Sequence, residues 1–129
     1  MNHLIFLLCL FCFQPFWDGG EQKTDPQLLI GSWKIDMSPQ DLSDENYAIM
    51  RIEKLEENRF EGIFYREGVR IQNGQINTQL GRLYGALVSA DGTGQYNTAF
   101  YYEDGRLHGS THAIDRNFLS VWTAKKIEE

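Results

Sequence analysis

The residues of this chain best suited to metal chemistry are two histidines, His108 and His112, on one predicted strand. Alternate residues of a strand share a face and lie about 6.6 to 7 Å apart, so residues four apart are separated by about 13 Å. That distance is too long for both imidazoles to bind one metal ion, and the sequence shows no recognisable third ligand. The pattern favours histidines that form hydrogen bonds on the outer face or near a rim. A haem or metal site that uses either one is the alternative.

A hydrolytic triad is the other chemistry that these residue types suggest. Ser110 or Ser120, His112 and Asp115 would supply a hydroxyl, an imidazole and a carboxylate. His112 and Asp115 are only three residues apart, however, and the Gly-x-Ser-x-Gly turn that presents a nucleophile does not occur. The sequence therefore predicts a protein that is not an enzyme.

The elements that would position these side chains are short strands between Gly31 and Lys126. Apolar and polar residues alternate along them, which is the period of a half-buried strand. The strands are separated by dipeptides that favour positive φ or an Asx hydrogen bond, as hairpin turns require. These breaks fall at Glu57-Asn58, Glu67-Gly68, Asp91-Gly92 and Asp104-Gly105.

Eight strands are predicted, over residues 29–37, 47–56, 59–65, 69–75, 82–90, 96–102, 106–114 and 118–126, with Asn73-Gly74 as a turn or a bulge. About twelve residues per strand and turn is the spacing of an up-and-down meander. Closure of such a sheet removes its exposed edges. Eight strands enclose an interior that side chains just fill or that holds one small ligand. The predicted fold is all-β, an eight-stranded antiparallel up-and-down β-barrel.

The composition indicates one globular domain. The chain has 129 residues, of which 42% are hydrophobic and 13% are aromatic, and this suffices for a single core. The net charge of −6 argues against nucleic acid as a partner, because phosphate contacts require a surplus of Lys and Arg. The basic residues are scattered singly, without the cluster that binds anionic lipid.

Residues 1–17 differ from the rest of the chain. Residues 4–13 form an unbroken apolar run, which is shorter than the roughly 20 residues that span a bilayer but typical of the h-region of a secretory signal. A polar linker is predicted over 18–27 and the barrel domain over 28–127. We expect an exported protein, periplasmic or secreted. A retained hydrophobic anchor is the alternative.

Both cysteines, Cys9 and Cys12, lie in this apolar run. A domain that begins after the run contains no cysteine and must be stabilised by its core and strand pairing, without disulfides. Thiolate catalysis and thiolate metal sites are excluded with the cysteines. The sequence implies no cofactor.

Gly31-Ser32-Trp33 at the start of an eight-strand meander resembles the Gly-x-Trp opening of the calycin superfamily, which includes lipocalins and avidins. In lipocalins, a basic residue near the last strand covers this tryptophan at the closed end of the barrel. The resemblance implies Arg116 or Lys125 for that role. The avidin pattern has a biotin-contacting asparagine where this chain has Ile35, so biotin binding is not predicted. Residues 104–124 look like C-terminal hairpins of small exported bacterial proteins.

The predicted function is the binding of a small apolar or amphipathic molecule in the mouth of a monomeric barrel. The alternative is a protein-binding module or inhibitor, with a filled barrel and with loops such as 38–45 or 91–94 presented to a partner. A hollow interior larger than about 300 Å³ would favour the first hypothesis. The residues predicted to form the pocket and its polar anchors are Trp33, Phe64, Tyr96, Phe100, Tyr102, Arg51 and Arg82.

Overall fold

The computed structural model describes residues 24–128 of the chain. Each strand in this range pairs antiparallel with the next, and the last strand pairs with the first, so the sheet closes. The predicted eight-stranded up-and-down barrel is therefore confirmed. The strands are β1 (Gly31–Asp36), β2 (Tyr47–Glu56), β3 (Arg59–Tyr65), β4 (Gln72–Asn77), β5 (Tyr84–Asp91), β6 (Gly94–Glu103), β7 (Arg106–Ala113) and β8 (Phe118–Lys126).

The loops alternate between the two ends of the barrel because consecutive strands run in opposite directions. The loops after β1, β3, β5 and β7 lie at one end, which we call the open end. The loops after β2, β4 and β6 lie at the closed end, together with the 3-10 turn Pro26–Leu29 that precedes β1. A second 3-10 turn, Ile114–Arg116, connects β7 to β8 at the open end.

The bounds of β2, β3 and β8 agree with the sequence prediction, whereas β4 does not. The strand begins at Gln72, later than predicted, although the preceding Val69 and Ile71 are buried. Asn73 has a φ of 50° and lies in a register shift between Gln72 and Gln75. The Asn73-Gly74 step is therefore a bulge within β4 and not a turn.

Strands β2 and β3 approach each other very closely at Gly62. A Cβ atom at this position would lie 1.8 Å from the main-chain oxygen of Arg51. The register of the two strands shifts nearby, between Ile52 and Lys54, and such a bulge bends a strand. Only glycine fits this approach without displacement of the β2 backbone.

Substitution of Gly62 by alanine is expected to lower the free energy of unfolding by about 1 to 3 kcal/mol, because the added Cβ must push β2 outward. Urea denaturation followed by circular dichroism measures the loss. Gly92→Ala is the matched control, since no atom outside its neighbours lies within 4 Å of a Cβ built there. Equal stability of the two variants would contradict the close approach at Gly62.

Aromatic rings fill the barrel from its closed end to about its middle. The Phe60 and Phe100 ring centroids are 6.0 Å apart. The ring centroids of Phe100 and Trp122 are 6.4 Å apart, and those of Trp122 and Phe64 are 6.1 Å apart. All four side chains are buried, and ring pairs at these separations contribute beyond the area that they bury. This column is the core on which the open half of the barrel is built.

Trp33 fills the barrel interior at the closed end. Its ring is buried, and Nε1 donates a hydrogen bond to the Leu29 carbonyl oxygen at 2.9 Å. Lys126 Nζ lies 5.6 Å from the centroid of the Trp33 ring and donates to the Leu28 carbonyl oxygen at 3.0 Å. A cation over an indole face is a favourable arrangement. The Trp33 side chain is thus fixed from both sides.

The basic residue that covers Trp33 is Lys126, so the expectation of Arg116 or Lys125 is corrected. Alternate residues of a strand face inward, and Lys126 shares the parity of the buried residues Trp122 and Ala124. Lys125 has the opposite parity and is exposed. Arg116 precedes β8 and lies at the open end, because β8 runs antiparallel to β1.

The predicted signal-like segment 1–17 lies outside the described residues, as does most of the predicted linker 18–27. Among residues 24–128, no helix has the length and apolar character needed to cross a bilayer.

Candidate functional site

A cavity of about 350 Å³ lies at the open end of the barrel. It exceeds the roughly 300 Å³ at which small-molecule pockets begin, and it lies directly above the aromatic column. We call it the open-end cavity. Polar side chains of the β1–β2 loop and hydroxyl groups of the strands line it together with an apolar wall. That wall consists of Met37, Phe64, Val69, Ala113 and Phe118.

Hydroxyl side chains form the inner surface of this cavity. Thr111 on β7 and Ser120 on β8 are direct cross-strand partners. Ser89 on β5 is level with Ala113, which is two residues nearer the opening than Thr111. All three residues are buried and line the cavity. We refer to Ser89, Thr111 and Ser120 as the hydroxyl floor. It lies beside Phe64, the ring of the aromatic column that reaches the cavity.

The hydroxyl floor is held in place from below. Trp122 Nε1 donates a hydrogen bond to Thr111 Oγ1 at 3.0 Å, and Thr98 Oγ1 lies 2.9 Å from the same oxygen. The Trp122 ring packs on Gly109, where a Cβ would lie only 2.3 Å from it. The position of the Thr111 hydroxyl is thus fixed by the packing of the core.

Ser89 differs from the other hydroxyl groups in having no partner. Its side chain is 1% exposed. Of the buried side-chain nitrogen and oxygen atoms of residues 24–128, Ser89 Oγ alone forms no hydrogen bond. A buried polar atom without a partner costs about 1 to 3 kcal/mol, and such atoms are rare in native proteins. Ser89 therefore supplies an unused hydrogen-bonding group in the wall of the cavity.

The rim of the cavity is a network around Asp91. The Thr93 hydroxyl and main-chain N–H donate to Asp91 Oδ1 at 2.6 and 2.8 Å. The Tyr96 hydroxyl donates to the same oxygen at 3.1 Å and accepts from Arg116 Nη2 at 3.2 Å. These contacts order the β5–β6 turn and connect it to the turn before β8.

The pKa of Asp91 is held below its ordinary value, first by the Thr93 hydroxyl, then by the Thr93 N–H, with smaller effects from Tyr96 and Arg66. Burial acts in the opposite direction but is outweighed. A carboxylate with a lowered folded-state pKa stabilises the fold above its unfolded-state pKa of about 3.9, and that stabilisation is lost as the pH falls through the folded-state value.

Asp91→Asn is therefore expected to be less stable than wild type at pH 7 and to lose less stability when the pH falls below about 4. Urea denaturation at neutral and acidic pH measures the difference. Asp104→Asn in the exposed β6–β7 turn is the control for an exchange of carboxylate for amide outside the rim network. An Asp91→Asn protein with an unchanged pH dependence would contradict the proposed effect of the rim network.

Two of the seven predicted site residues, Phe64 and Tyr96, line the open-end cavity. Phe64 forms part of its apolar wall, and Tyr96 belongs to its rim. Phe100 and Tyr102 are buried in the filled half of the barrel, and Trp33 closes the far end. These three side chains belong to the core that supports the cavity.

The two predicted anchors, Arg51 and Arg82, lie on the outside of the barrel. Arg51 alternates with buried neighbours on β2, so it faces outward, where it contacts Glu67. Arg82 precedes β5, bonds Glu103 at 3.2 Å and lies over the Tyr101 ring at 4.7 Å. The structure therefore does not bring either arginine to the cavity. Arg116 is the arginine that lines it.

Both candidate metal-binding histidines lie on the outer face of β7. The His108 ring stacks on Tyr101, with centroids 5.0 Å apart and planes 15° from parallel. His112 is exposed. In the part of the chain that the structure describes, no group of three His, Cys, Asp or Glu side chains is placed to hold a metal ion.

No family model and no curated protein match this chain. Among solved structures, a mutant of the fluorescent protein UnaG is similar to it, with a TM-score of 0.43 and 14% sequence identity over 80% of this chain and 99% of that one. A likeness of this degree does not identify a ligand. The strand pairings and the cavity define this protein as a closed eight-stranded meander with one hollow end.

Proposed function

We propose that this protein is a non-enzymatic binding protein that holds a small apolar or amphipathic molecule in the open-end cavity. The observation that carries the proposal is the unpartnered Ser89 hydroxyl, which is buried at a cavity that has an apolar wall. A ligand pocket typically combines apolar lining with a few fixed polar groups. The open half of the barrel has that composition.

The cavity also has the rigidity that binding requires. Its wall is built on paired strands, and the aromatic column packs directly beneath its floor. A preformed pocket binds without a large loss of conformational entropy, because its side chains are already ordered. The rim network limits the movement of the β5–β6 turn at the entrance.

We further propose that the protein is exported, periplasmic or secreted, and acts as a monomer. Support for export is the apolar run at residues 4–13, which matches the h-region of a secretory signal in length and character. Fractionation of cells that express the full chain, together with the mass of the recovered protein, tests both the location and removal of the segment.

Native mass spectrometry of the purified protein, beside the denatured sample, tests the binding proposal. We expect an additional mass of one small molecule that is lost on denaturation, or a one-to-one adduct with an added small amphipathic probe. A protein that remains free of any adduct in both experiments would contradict the proposal.

A second candidate function is protein binding through the β1–β2 loop. It is favoured by Leu42, which is 97% exposed in this loop. Binding residues are disproportionately found on loops that a rigid scaffold positions. Loss of partner capture on Leu42→Ser, with no adduct in the mass spectra, would support this function over small-molecule binding.

A further inference from the structure

The polar groups of the open-end cavity indicate which part of a ligand enters first. We propose that the ligand binds with a neutral oxygen acceptor, such as a carbonyl, at the hydroxyl floor, and with an anionic group at Arg116 on the rim. This inference rests on the proposed function. It adds the chemical class of the ligand and the orientation in which the ligand binds in the cavity. It is derived from three features of the cavity.

The first feature is the hydrogen-bonding state of Ser89 and Thr111. A hydroxyl group has one proton to donate and two acceptor positions, whereas the indole N–H of tryptophan only donates. Thr111 Oγ1 accepts from Trp122 Nε1 and lies within hydrogen-bond distance of Thr98 Oγ1. When Thr98 donates to it, both acceptor positions of Thr111 are used and its own proton is left for the cavity. Ser89 Oγ has no partner, so the floor offers a donor at Ser89 and, in the arrangement in which Thr98 donates, a second donor at Thr111.

The second feature is the distribution of charge. The charged side chains that line the cavity are Asp91 and Arg116, and both belong to the rim. A carboxylate buried at the floor would have no cation beside it, and the penalty for burying an unpaired charge exceeds the return from two hydroxyl hydrogen bonds. A neutral oxygen avoids this penalty. The group that enters first is therefore an uncharged acceptor.

The third feature is the state of Arg116. Its guanidinium donates to the Tyr96 hydroxyl and lies 5.8 Å from the centroid of that ring. The rim carboxylate Asp91 pairs with Arg66 at 3.6 Å. Among residues 24–128, the arginines that form salt bridges are Arg51, Arg66, Arg70 and Arg82. Arg116 is not among them, and it lines the cavity. A planar guanidinium without a carboxylate partner suits an anionic group of a ligand.

The two groups lie at different depths of the cavity. Arg116 is joined to Asp91 on the rim through the Tyr96 hydroxyl, and Ser89 lies two residues, about 7 Å, further inside on the same strand as Asp91. A molecule with a carbonyl and a carboxylate at opposite ends of one ring presents one group at each depth. Para-acetylbenzoate is such a probe. Para-isopropylbenzoate replaces its carbonyl oxygen with a methyl group, and para-acetylbenzamide replaces its carboxylate with a neutral amide.

Isothermal titration calorimetry of the purified protein with the three probes tests the inference. We expect para-acetylbenzoate to bind about tenfold more tightly than para-isopropylbenzoate, which is the effect of one buried hydrogen bond. We also expect it to bind at least about tenfold more tightly than para-acetylbenzamide, because a hydrogen bond to a charged group is stronger.

Two variants assign these preferences to residues. Ser89→Ala should remove the preference for the carbonyl and keep the preference for the carboxylate, and Arg116→Gln should do the opposite. Val121→Ala on the outer face of β8, where the side chain is 64% exposed, is the control and should change neither preference. Ser89→Ala should melt no lower than wild type, because its hydroxyl has no partner within the protein.

Equal affinity for the acetyl and isopropyl probes would overturn the inference while leaving the proposed function intact. A carbonyl preference that persists in Ser89→Ala would also overturn it. Absence of binding by all three probes at millimolar concentration would overturn it as well, and the adduct experiment described above then decides the proposed function separately.

Discussion

Trp33→Ala is expected to lower the free energy of unfolding by about 3 to 5 kcal/mol, the range for truncation of a large buried aromatic side chain. The Trp33 ring is 1% exposed at the closed end. Its removal leaves a cavity, deprives the Leu29 carbonyl oxygen of its donor and takes away the surface on which Lys126 rests. The barrel contains no disulfide within the described residues to offset such a loss, since both cysteines precede them.

Thermal and urea denaturation measure this effect. For a domain of about 100 residues, a loss of 3 kcal/mol corresponds to a decrease of roughly 12 °C or more in melting temperature. Trp33→Phe, which keeps most of the apolar ring and removes Nε1, should lose considerably less. Val121→Ala on the outer face should lie within about 0.5 kcal/mol of wild type. A Trp33→Ala protein that melts within a degree or two of wild type would show that this ring does not close the barrel.

Ala113→Trp is expected to weaken small-molecule binding by at least about 100-fold while the barrel still folds. Ala113 faces inward on β7 and lines the open-end cavity between Tyr96 and Phe118, its cross-strand partners. An indole introduced there would occupy the space proposed for the ligand. A loss of this size corresponds to about 2.7 kcal/mol of binding free energy.

Titration with para-acetylbenzoate, with circular dichroism to verify folding, measures this second effect. Val121→Trp places the same indole on the outer face of β8 and should leave the affinity unchanged. A folded Ala113→Trp protein that binds as tightly as wild type would place the binding site outside the open-end cavity.

The barrel was predictable because alternation and turn residues act locally. Most strands bury one face, so their sequences alternate whatever the rest of the chain does. The start of β4 was not predictable in this way. Val69 and Ile71 are buried and form backbone hydrogen bonds with Phe64 and Gly62 of β3, as predicted. The regular strand nevertheless begins only at Gln72, because the pairing at residue 70 is an isolated bridge, which alternation does not reveal.

The basic residue that covers Trp33, Lys126, could have been predicted from the sequence. The parity of β8 aligns Lys126 with Trp122 and Ala124, and the antiparallel order of β1 and β8 places residue 116 at the end opposite Trp33. Topology and parity together would have selected Lys126. Spacing along the chain, taken alone, did not distinguish these candidates.

The site was less predictable than the fold. Large aromatic residues were the natural choice for a pocket, yet most of them fill the core, because an eight-stranded barrel leaves little interior space. The hydroxyl floor is formed by small residues on different strands. Thr111 and Ser120 have the inward parity of their strands, but β5 is apolar at both parities, so alternation does not indicate that Ser89 faces inward.

An NMR titration of the isotopically labelled protein with para-acetylbenzoate shows whether a ligand enters the barrel. We expect the largest amide shifts at Ser89, Tyr96, Thr111 and Ala113, around the open-end cavity, with little change on the outer face. Shifts concentrated on the outer face at Tyr84, Tyr101 and His108 would contradict binding inside the barrel, and so would a spectrum that the probe leaves unchanged.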